Sequence, residues 1–166
     1  MQIRLIALTC TSGLLLLAGL AGSANASTAT STFNATLTLQ TSCQVASNNT
    51  LSFGTQGVLS ASTDATTTFN VQCTNTTPYN VGLNAGTTSG GTISTRLLTS
   101  GSDTVAYKLF SDSAHTTNWG NTVGTDTVAG TGNGAQQTLT IYGRVPAQTT
   151  PAPATYNDTV TVTVTY

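Results

Sequence analysis

Hydrophobic and polar residues alternate along several short segments of this 166-residue chain. In the segment 33–40, the apolar positions are Phe33, Ala35, Leu37 and Leu39. The last eight residues, 159–166, read Thr-Val-Thr-Val-Thr-Val-Thr-Tyr, and their apolar positions are Val160, Val162, Val164 and Tyr166. A period of two residues places alternate side chains on opposite faces of a β-strand. Both segments are therefore predicted to be half-buried strands.

Further strands are predicted between these two segments, separated by turns rich in Gly, Ser and Asn. The candidates are 69–73, 79–83, 93–98, 105–110 and 139–145. Pro146, Pro151 and Pro153 place 146–154 in a loop, because proline cannot donate a hydrogen bond to a sheet. Seven or more short strands without an amphipathic helix predict an all-β, immunoglobulin-like β-sandwich, with an up-and-down barrel as the alternative.

The composition supports a β protein with an uncharged surface. Only 5% of the residues are charged, the net charge is −1, and 38 residues are Thr, whose branched side chain suits a strand. So few charges cannot form the basic stripe that binds a nucleic-acid backbone. Charge-laced helices and coiled coils are excluded for the same reason.

The N-terminal residues have the pattern of an export signal. Arg4 precedes an apolar stretch that ends at the small residues Ala24-Asn25-Ala26, and this order is typical of a secretory signal peptide. The alternative, a membrane-spanning anchor, needs ~20 clean apolar residues, and glycines and polar residues interrupt this stretch. We predict cleavage after Ala26, which leaves a mature chain of 27–166 without a membrane anchor.

The mature chain keeps two cysteines, Cys43 and Cys73. In an exported protein, a single pair of cysteines most simply forms one disulfide. A metal or redox site would need ligands that the sequence lacks, since His115 is the only histidine and no Cys-x-x-Cys motif occurs.

No catalytic, metal-ligating or cofactor-binding constellation is expected. His115 lies in a polar stretch typical of an exposed loop, and no second base or nucleophile pattern accompanies it. The five Asp residues are each flanked by small or polar residues, and Asp112 and Asp158 are predicted to cap turns. A calcium loop of the Asp-x-Asp type does not occur.

The two terminal alternating segments leave two interpretations open. A regular strand that ends at the last residue, with Asp158 as its only nearby charge, could be a sheet edge that pairs with another chain. Alternatively, 33–39 is the first strand of the chain's own sandwich and 159–166 is a central, fully paired strand.

Several motifs together resemble the spore coat protein U family. They comprise Cys43, 51–54 (Leu-Ser-Phe-Gly), 71–73 (Val-Gln-Cys), 79–86, 107–112, Trp119-Gly120, 139–148 and 156–166. The resemblance covers nearly the whole mature chain. One departure is Ala147, where the family more often has a Gly before the Gln. Members of this family include subunits of archaic chaperone–usher pili, which support attachment and biofilm formation, and its namesake is a secreted spore coat component.

The resemblance implies a pilin-type sandwich that lacks one strand and is completed from outside. Residues 1–26 would be the signal peptide, 27–40 an N-terminal extension, and 41–166 the pilin-like domain. Phe33, Ala35, Leu37 and Leu39 would fill the groove of a neighbouring subunit as a donor strand, and Val160, Val162, Val164 and Tyr166 would border the groove. The implied partners are a periplasmic chaperone, an outer-membrane usher and identical or related subunits, and the destination is a fimbrium on the cell surface.

Two other functions remain as alternatives. A self-contained secreted coat or matrix protein would have the same composition without strand exchange. A sugar-binding tip adhesin normally carries a second domain, for which the mature chain leaves no room.

Overall fold

The structure, a computed structural model, describes residues 25–46 and 49–166. Most of the predicted signal peptide falls on residues 1–24 and lies outside the described residues. The chain divides into two units, with the boundary between Leu37 and Thr38. The first unit contributes the described residues 25–37, which form no helix or strand and are exposed throughout.

The second unit, Thr38–Tyr166, contains eight strands. They are β1 (Cys43–Ala46), β2 (Thr63–Cys73), β3 (Pro78–Leu83), β4 (Arg96–Ser100), β5 (Asp103–Phe110), β6 (Val128–Thr131), β7 (Gln136–Val145) and β8 (Val162–Thr165). In the described part of the chain there is no helix that is long and apolar enough to cross a membrane.

The strands form two antiparallel sheets, one of order β1-β2-β7-β5-β4 and one of order β6-β3-β8. The prediction of an all-β sandwich is therefore confirmed. A disulfide joins Cys43 of β1 to Cys73 of β2, also as predicted. Residues 146–154 belong to no strand, which agrees with the three prolines.

The core lies between the sheets and follows the period-two alternation. Phe69, Val71 and Cys73 of β2 point inward, while Thr68 and Asn70 point to the other face. The buried set is Leu59, Phe69, Val71, Cys73, Tyr79, Val81, Leu83, Val105, Tyr107, Leu109, Trp119, Ile141 and Val145. Trp119 is buried and donates its indole N–H to the carbonyl of Val81 at 2.8 Å.

The outer face of the five-stranded sheet is polar along its two longest strands, where its charges are the ion pair of Asp64 and Arg144. Opposite pairs in register are Thr68 with Thr140 and Asn70 with Thr138. The Thr138 hydroxyl donates to Asn70 Oδ1 at 2.8 Å, so that hydroxyl and amide groups hydrogen-bond across the strands. This surface of Thr, Asn and Gln side chains is called the outer face below.

Three differences from the sequence-based prediction concern whole strands. β1 and β6 were not predicted, because four residues each are too few to show a clear alternation. The segment Phe33–Leu39 was predicted to be a strand, but it joins neither sheet. Its alternation therefore serves no strand partner in the described part of the chain.

Candidate functional site

The C-terminal strand β8 lies at an edge of the three-stranded sheet, with β3 as its partner on one side. Thr161 is hydrogen-bonded to Asn84 through both its amide and its carbonyl. Because antiparallel partners alternate between bonded and non-bonded pairs, the backbones of Thr163 and Thr165 also face β3. The N–H and C=O groups of the intervening valines, 160, 162 and 164, then point to the open edge.

The same three valines are half-buried and pack against the core. Val160, Val162 and Val164 thus lie on one face, as the alternation predicted. Tyr166, the fourth residue predicted for this face, is 59% exposed. Each valine therefore combines an apolar side chain that is only partly covered with a backbone that, among residues 25–46 and 49–166, has no partner on one side.

A second stretch with unpaired backbone is the segment 49–58, which follows β1. It makes no backbone–backbone hydrogen bond with any described residue. Leu51 and Phe53 anchor it by packing over Gly143 of β7, where an added Cβ would lie 2.7 Å from Leu51 Cδ2 and 3.0 Å from Phe53 Cζ. The Phe53 ring also meets the Tyr107 ring edge-on, at 6.2 Å between centroids.

A cavity of about 680 Å³ separates the segment 50–59 from the loop 150–157. Leu98, Val105 and Val145 form part of its wall. The loop leads directly into the C-terminal strand, and β1 and β8 also lie close to each other. The sandwich therefore has a largely apolar opening between the segment 50–59 and the loop 150–157, and the C-terminal strand follows this loop without lining the cavity.

The residues predicted to form a donor strand are exposed. Phe33 is 91%, Leu37 84% and Leu39 82% exposed, and Ala35 is also exposed. Such large apolar side chains are costly to leave in water, at about 1.5–3 kcal/mol each relative to full burial. Their exposure, together with the absence of a strand over 33–39, means that the first-strand interpretation does not describe this structure.

The junction between this segment and β1 is held in place. Ser42 accepts a hydrogen bond from the Thr74 amide at 2.9 Å, and its own amide donates to Thr74 Oγ1 at 3.2 Å. These bonds extend the β1–β2 pairing by one residue beyond the disulfide. The exposed segment therefore leaves the domain from a fixed point.

One polar cluster lies away from the opening, on the outer face. Arg144 binds Asp64 through Nε and Nη2 at 2.6 and 2.7 Å, and its Nη2 lies 3.2 Å from His115 Nδ1. The hydrogen bond from Arg144 holds the pKa of Asp64 below its usual value. Within residues 25–46 and 49–166, no group of three or more His, Cys, Asp or Glu side chains could hold a metal ion.

Two polar residues beside the start of the C-terminal strand, Asp158 in the chain before it and Asn84 after β3, make more contacts than the sequence indicated. Asp158 was predicted to cap a turn, and it does accept the Thr87 and Thr88 amides, but it also binds Tyr107 of β5. Asn84 was not singled out at all, because a single Asn before Ala85-Gly86 looks like ordinary turn chemistry.

Comparison with known proteins identifies relatives of this chain. Residues 29–163 match the Spore Coat Protein U domain. The chain is 31% identical over 158 residues to Protein U of Myxococcus xanthus, with 86% of this chain and 88% of that protein covered.

A solved structure is also similar. It is the chaperone–tip adhesion subunit pre-assembly complex CsuC-CsuE from the archaic chaperone–usher Csu pili of Acinetobacter baumannii. One of its chains matches with a TM-score of 0.55 and 26% identity over 78% of the present chain. The present chain spans 40% of the length of that chain.

Proposed function

Because this chain belongs to the Spore Coat Protein U domain family, we propose that it is a structural subunit of a secreted surface fibre of the archaic chaperone–usher type, rather than an enzyme. The observation that carries this proposal is the pairing of an incomplete sandwich with an exposed alternating segment in one chain. The similarity to a chaperone–subunit complex of Csu pili supports the same assignment.

The proposed mechanism is donor-strand exchange. Phe33–Leu39 of one subunit would enter the opening between the segment 49–58 and the C-terminal strand of the next subunit. Phe33, Ala35, Leu37 and Leu39 would then cover the half-buried valines. Seven extended residues span about 20 Å, the same length as residues 160–166.

Two contributions to the free energy of binding favour the exchange, the burial of apolar side chains and the formation of backbone hydrogen bonds. Burying Phe33, Leu37 and Leu39 is worth about 1.5–3 kcal/mol each as an upper estimate. Each new backbone hydrogen bond adds about 1 kcal/mol, and ordering the donor costs about 1–2 kcal/mol for each residue that is fixed. Burial and pairing along the whole segment are therefore both needed, which favours a donor whose every second side chain is apolar.

In the proposed pathway, a periplasmic chaperone occupies the opening first and an outer-membrane usher replaces it with the next subunit. Export through the periplasm to the cell surface and roles in adhesion and biofilm formation follow from the same assignment. A head-to-tail contact that does not close into a ring produces a filament.

The test is to supply the missing strand in cis. We expect the mature chain alone to be poorly stable or to self-associate, whereas a copy of residues 33–40 joined after Tyr166 by a flexible linker yields a stable monomer. Light scattering after size exclusion measures the mass, and circular dichroism measures the melting temperature. The matched control carries Leu37→Asp in the appended copy only, and it should not gain stability.

A mature chain that is already monomeric and unfolds cooperatively at high temperature would contradict the proposal. That result would favour the alternative of a self-contained secreted coat or matrix protein. Purification from the periplasm provides an independent check, since the fibre assignment requires a chaperone to co-purify with the subunit.

A further inference from the structure

The sequence of the C-terminal strand does not by itself define its register. Residues 159–165 repeat Thr-Val with a period of two, so a slip of two residues puts every threonine on a threonine position and every valine on a valine position. Register is normally specified because a slip moves hydrophobic side chains to the wrong face. A two-residue slip, a displacement of about 7 Å, carries no such penalty here.

The chain is fixed immediately before this repeat, where it passes from one sheet to the other. Asn157 exchanges two backbone hydrogen bonds with Thr99 of β4, at 2.9 and 3.0 Å. Four residues later, Thr161 is bonded to Asn84 beyond the end of β3. Asp158 begins the crossing between these two points.

The Asp158 carboxylate is bound from two directions. Its Oδ1 accepts the amides of Thr87 and Thr88 at 2.9 and 3.1 Å and their hydroxyls at 3.3 and 3.1 Å. Its Oδ2 accepts the hydroxyl of Tyr107 at 2.7 Å. Gly86, at φ +89°, lies against this carboxylate, so any side chain there would collide with it. The β3–β4 loop is shaped around Asp158.

A second set of contacts joins the strand to Asn84 at Thr161. Arg96 Nε donates to the Asn84 carbonyl at 2.8 Å, and the Thr161 amide donates instead to Asn84 Oδ1 at 2.9 Å. The Gly86 amide donates to the same Oδ1 at 3.1 Å. Asn84 thus bonds both the amide and the carbonyl of Thr161. After a two-residue slip the backbone of Thr159 would present the same two groups, so these bonds do not select one register. The contact that a slip cannot reproduce is the carboxylate of Asp158.

We propose that Asp158 is a positioning residue for strand acceptance, which fixes residues 159–166 in one register against β3. In that register the backbone groups of the three valines meet the incoming strand at defined positions. The acceptor role rests on the proposed function, whereas the register itself can be measured in the isolated subunit.

Cysteine pairs report the register directly. Asn80 faces Thr165 in β3–β8, and a slip toward the free C-terminus brings Thr163 opposite Asn80. One reporter carries Asn80→Cys with Thr165→Cys, and the other carries Asn80→Cys with Thr163→Cys. Both are made in the chain completed in cis by the appended copy of residues 33–40, and the cross-links are mapped by non-reducing peptide mass spectrometry. We expect the wild-type background to cross-link through 80 and 165.

Asp158→Ala should raise the ratio of slipped to native cross-link by about tenfold or more, the factor expected for losing one charge-assisted hydrogen bond. Asp158→Asn and Tyr107→Phe keep the side-chain volume and should give smaller increases, so the test survives if Asp158→Ala does not fold. The control Asp103→Asn loses the same charge, but its carboxylate accepts no hydrogen bond from described residues. It should leave the ratio unchanged.

Strand acceptance is then measured with a synthetic peptide of residues 31–41 and, as a control, the same peptide with Leu37→Asp. We expect Asp158→Ala to slow binding of the unmodified peptide, and Asp103→Asn to leave the rate unchanged. If all Asp158 and Tyr107 variants retain the native cross-link alone, the positioning role is wrong. Wild-type protein that binds neither peptide would instead refute the proposed function and the acceptor role with it, while the cross-links still decide what sets the register.

Discussion

At the scale of single residues, the few charged side chains of this chain form hydrogen bonds to particular carbonyls and loop amides. Arg96 is fully buried, with 0% exposure, and its guanidinium donates to the carbonyls of Leu83, Asn84, Ile93 and Trp119 at 2.7–3.0 Å. Burial lowers the pKa of Arg96, because the charged form loses hydration. One side chain thus satisfies four carbonyls near the junction of the two sheets.

Replacing Arg96 by Met should destabilise the protein severely. Each buried carbonyl left without a donor costs about 1–3 kcal/mol, so the total loss should exceed about 3 kcal/mol. Urea unfolding monitored by Trp119 fluorescence measures the difference. Arg144→Met is the matched control, because Arg144 pairs with Asp64 at the surface, and its effect should be far smaller. Equal losses for the two variants would contradict the assigned role of Arg96.

Asp112 should make the stability of its loop depend on acid. The amides of Thr117 and Thr116 donate to its carboxylate and lower its pKa to about 2, from an ordinary value of 3.8. Because the folded pKa is depressed, the stabilisation is complete above pH 4 and is lost as the pH falls toward 2. We expect the melting-temperature difference between wild type and Asp112→Asn to be full at pH 6 and to shrink at pH 2. Ser113→Ala, in the same turn, should show a difference that does not vary with pH.

Sequence reasoning predicted that Asp112 caps its own turn, and such local chemistry, over four and five residues, is visible in sequence. It did not predict the partners of Asp158, which lie 51 to 71 residues away, or the carbonyls that Arg96 binds. Arg96 acts through carbonyls 3 to 23 residues away, and only the folded chain brings those together. Asn84 could not be identified for the same reason, because its partner Thr161 is 77 residues away in the chain.

At the scale of elements, strands of five or more residues with clear alternation were predicted well. Phe69–Cys73 and Leu139–Val145 lie inside β2 and β7, whereas the four-residue strands β1 and β6 were missed. The segment Phe33–Leu39 has as clear an alternation as any, yet it is not part of a sheet. Alternation shows that one side of a segment can be buried in a strand. It does not show whether that strand belongs to a sheet of the same subunit or of another one.

The two faces of this segment should respond differently to a charge. If Leu37 enters the groove of another subunit, Leu37→Asp should abolish polymerisation while chaperone binding persists, because a buried unpaired carboxylate is very costly. Thr36→Asp, on the opposite face, is the matched control and should still polymerise. The measurements are the ladder of oligomers on unheated gels and periplasmic co-purification. Loss of chaperone binding together with polymerisation would indicate that Leu37 belongs to the core of its own subunit.

At the scale of the whole molecule, the disulfide closes a loop of 30 residues around β1, the segment 49–58 and β2. Removing it by Cys43→Ser with Cys73→Ser should cost about 3–4 kcal/mol in the chain-entropy account. The melting temperature of the monomer completed in cis measures this cost without interference from assembly. If the double variant has the same melting temperature as the parent protein, strand pairing alone fixes β1 to β2.

The outer face has a consequence for the material that such subunits would form. Hydroxyl and amide groups bind water without attracting counterions, and the Asp64–Arg144 pair has no net charge, so dissolved salt has little to screen along the two longest strands. The layer of water bound to this face would therefore be nearly the same in fresh water, in seawater and in a drying film. We therefore expect the wetting of this coat to depend on humidity rather than on salinity.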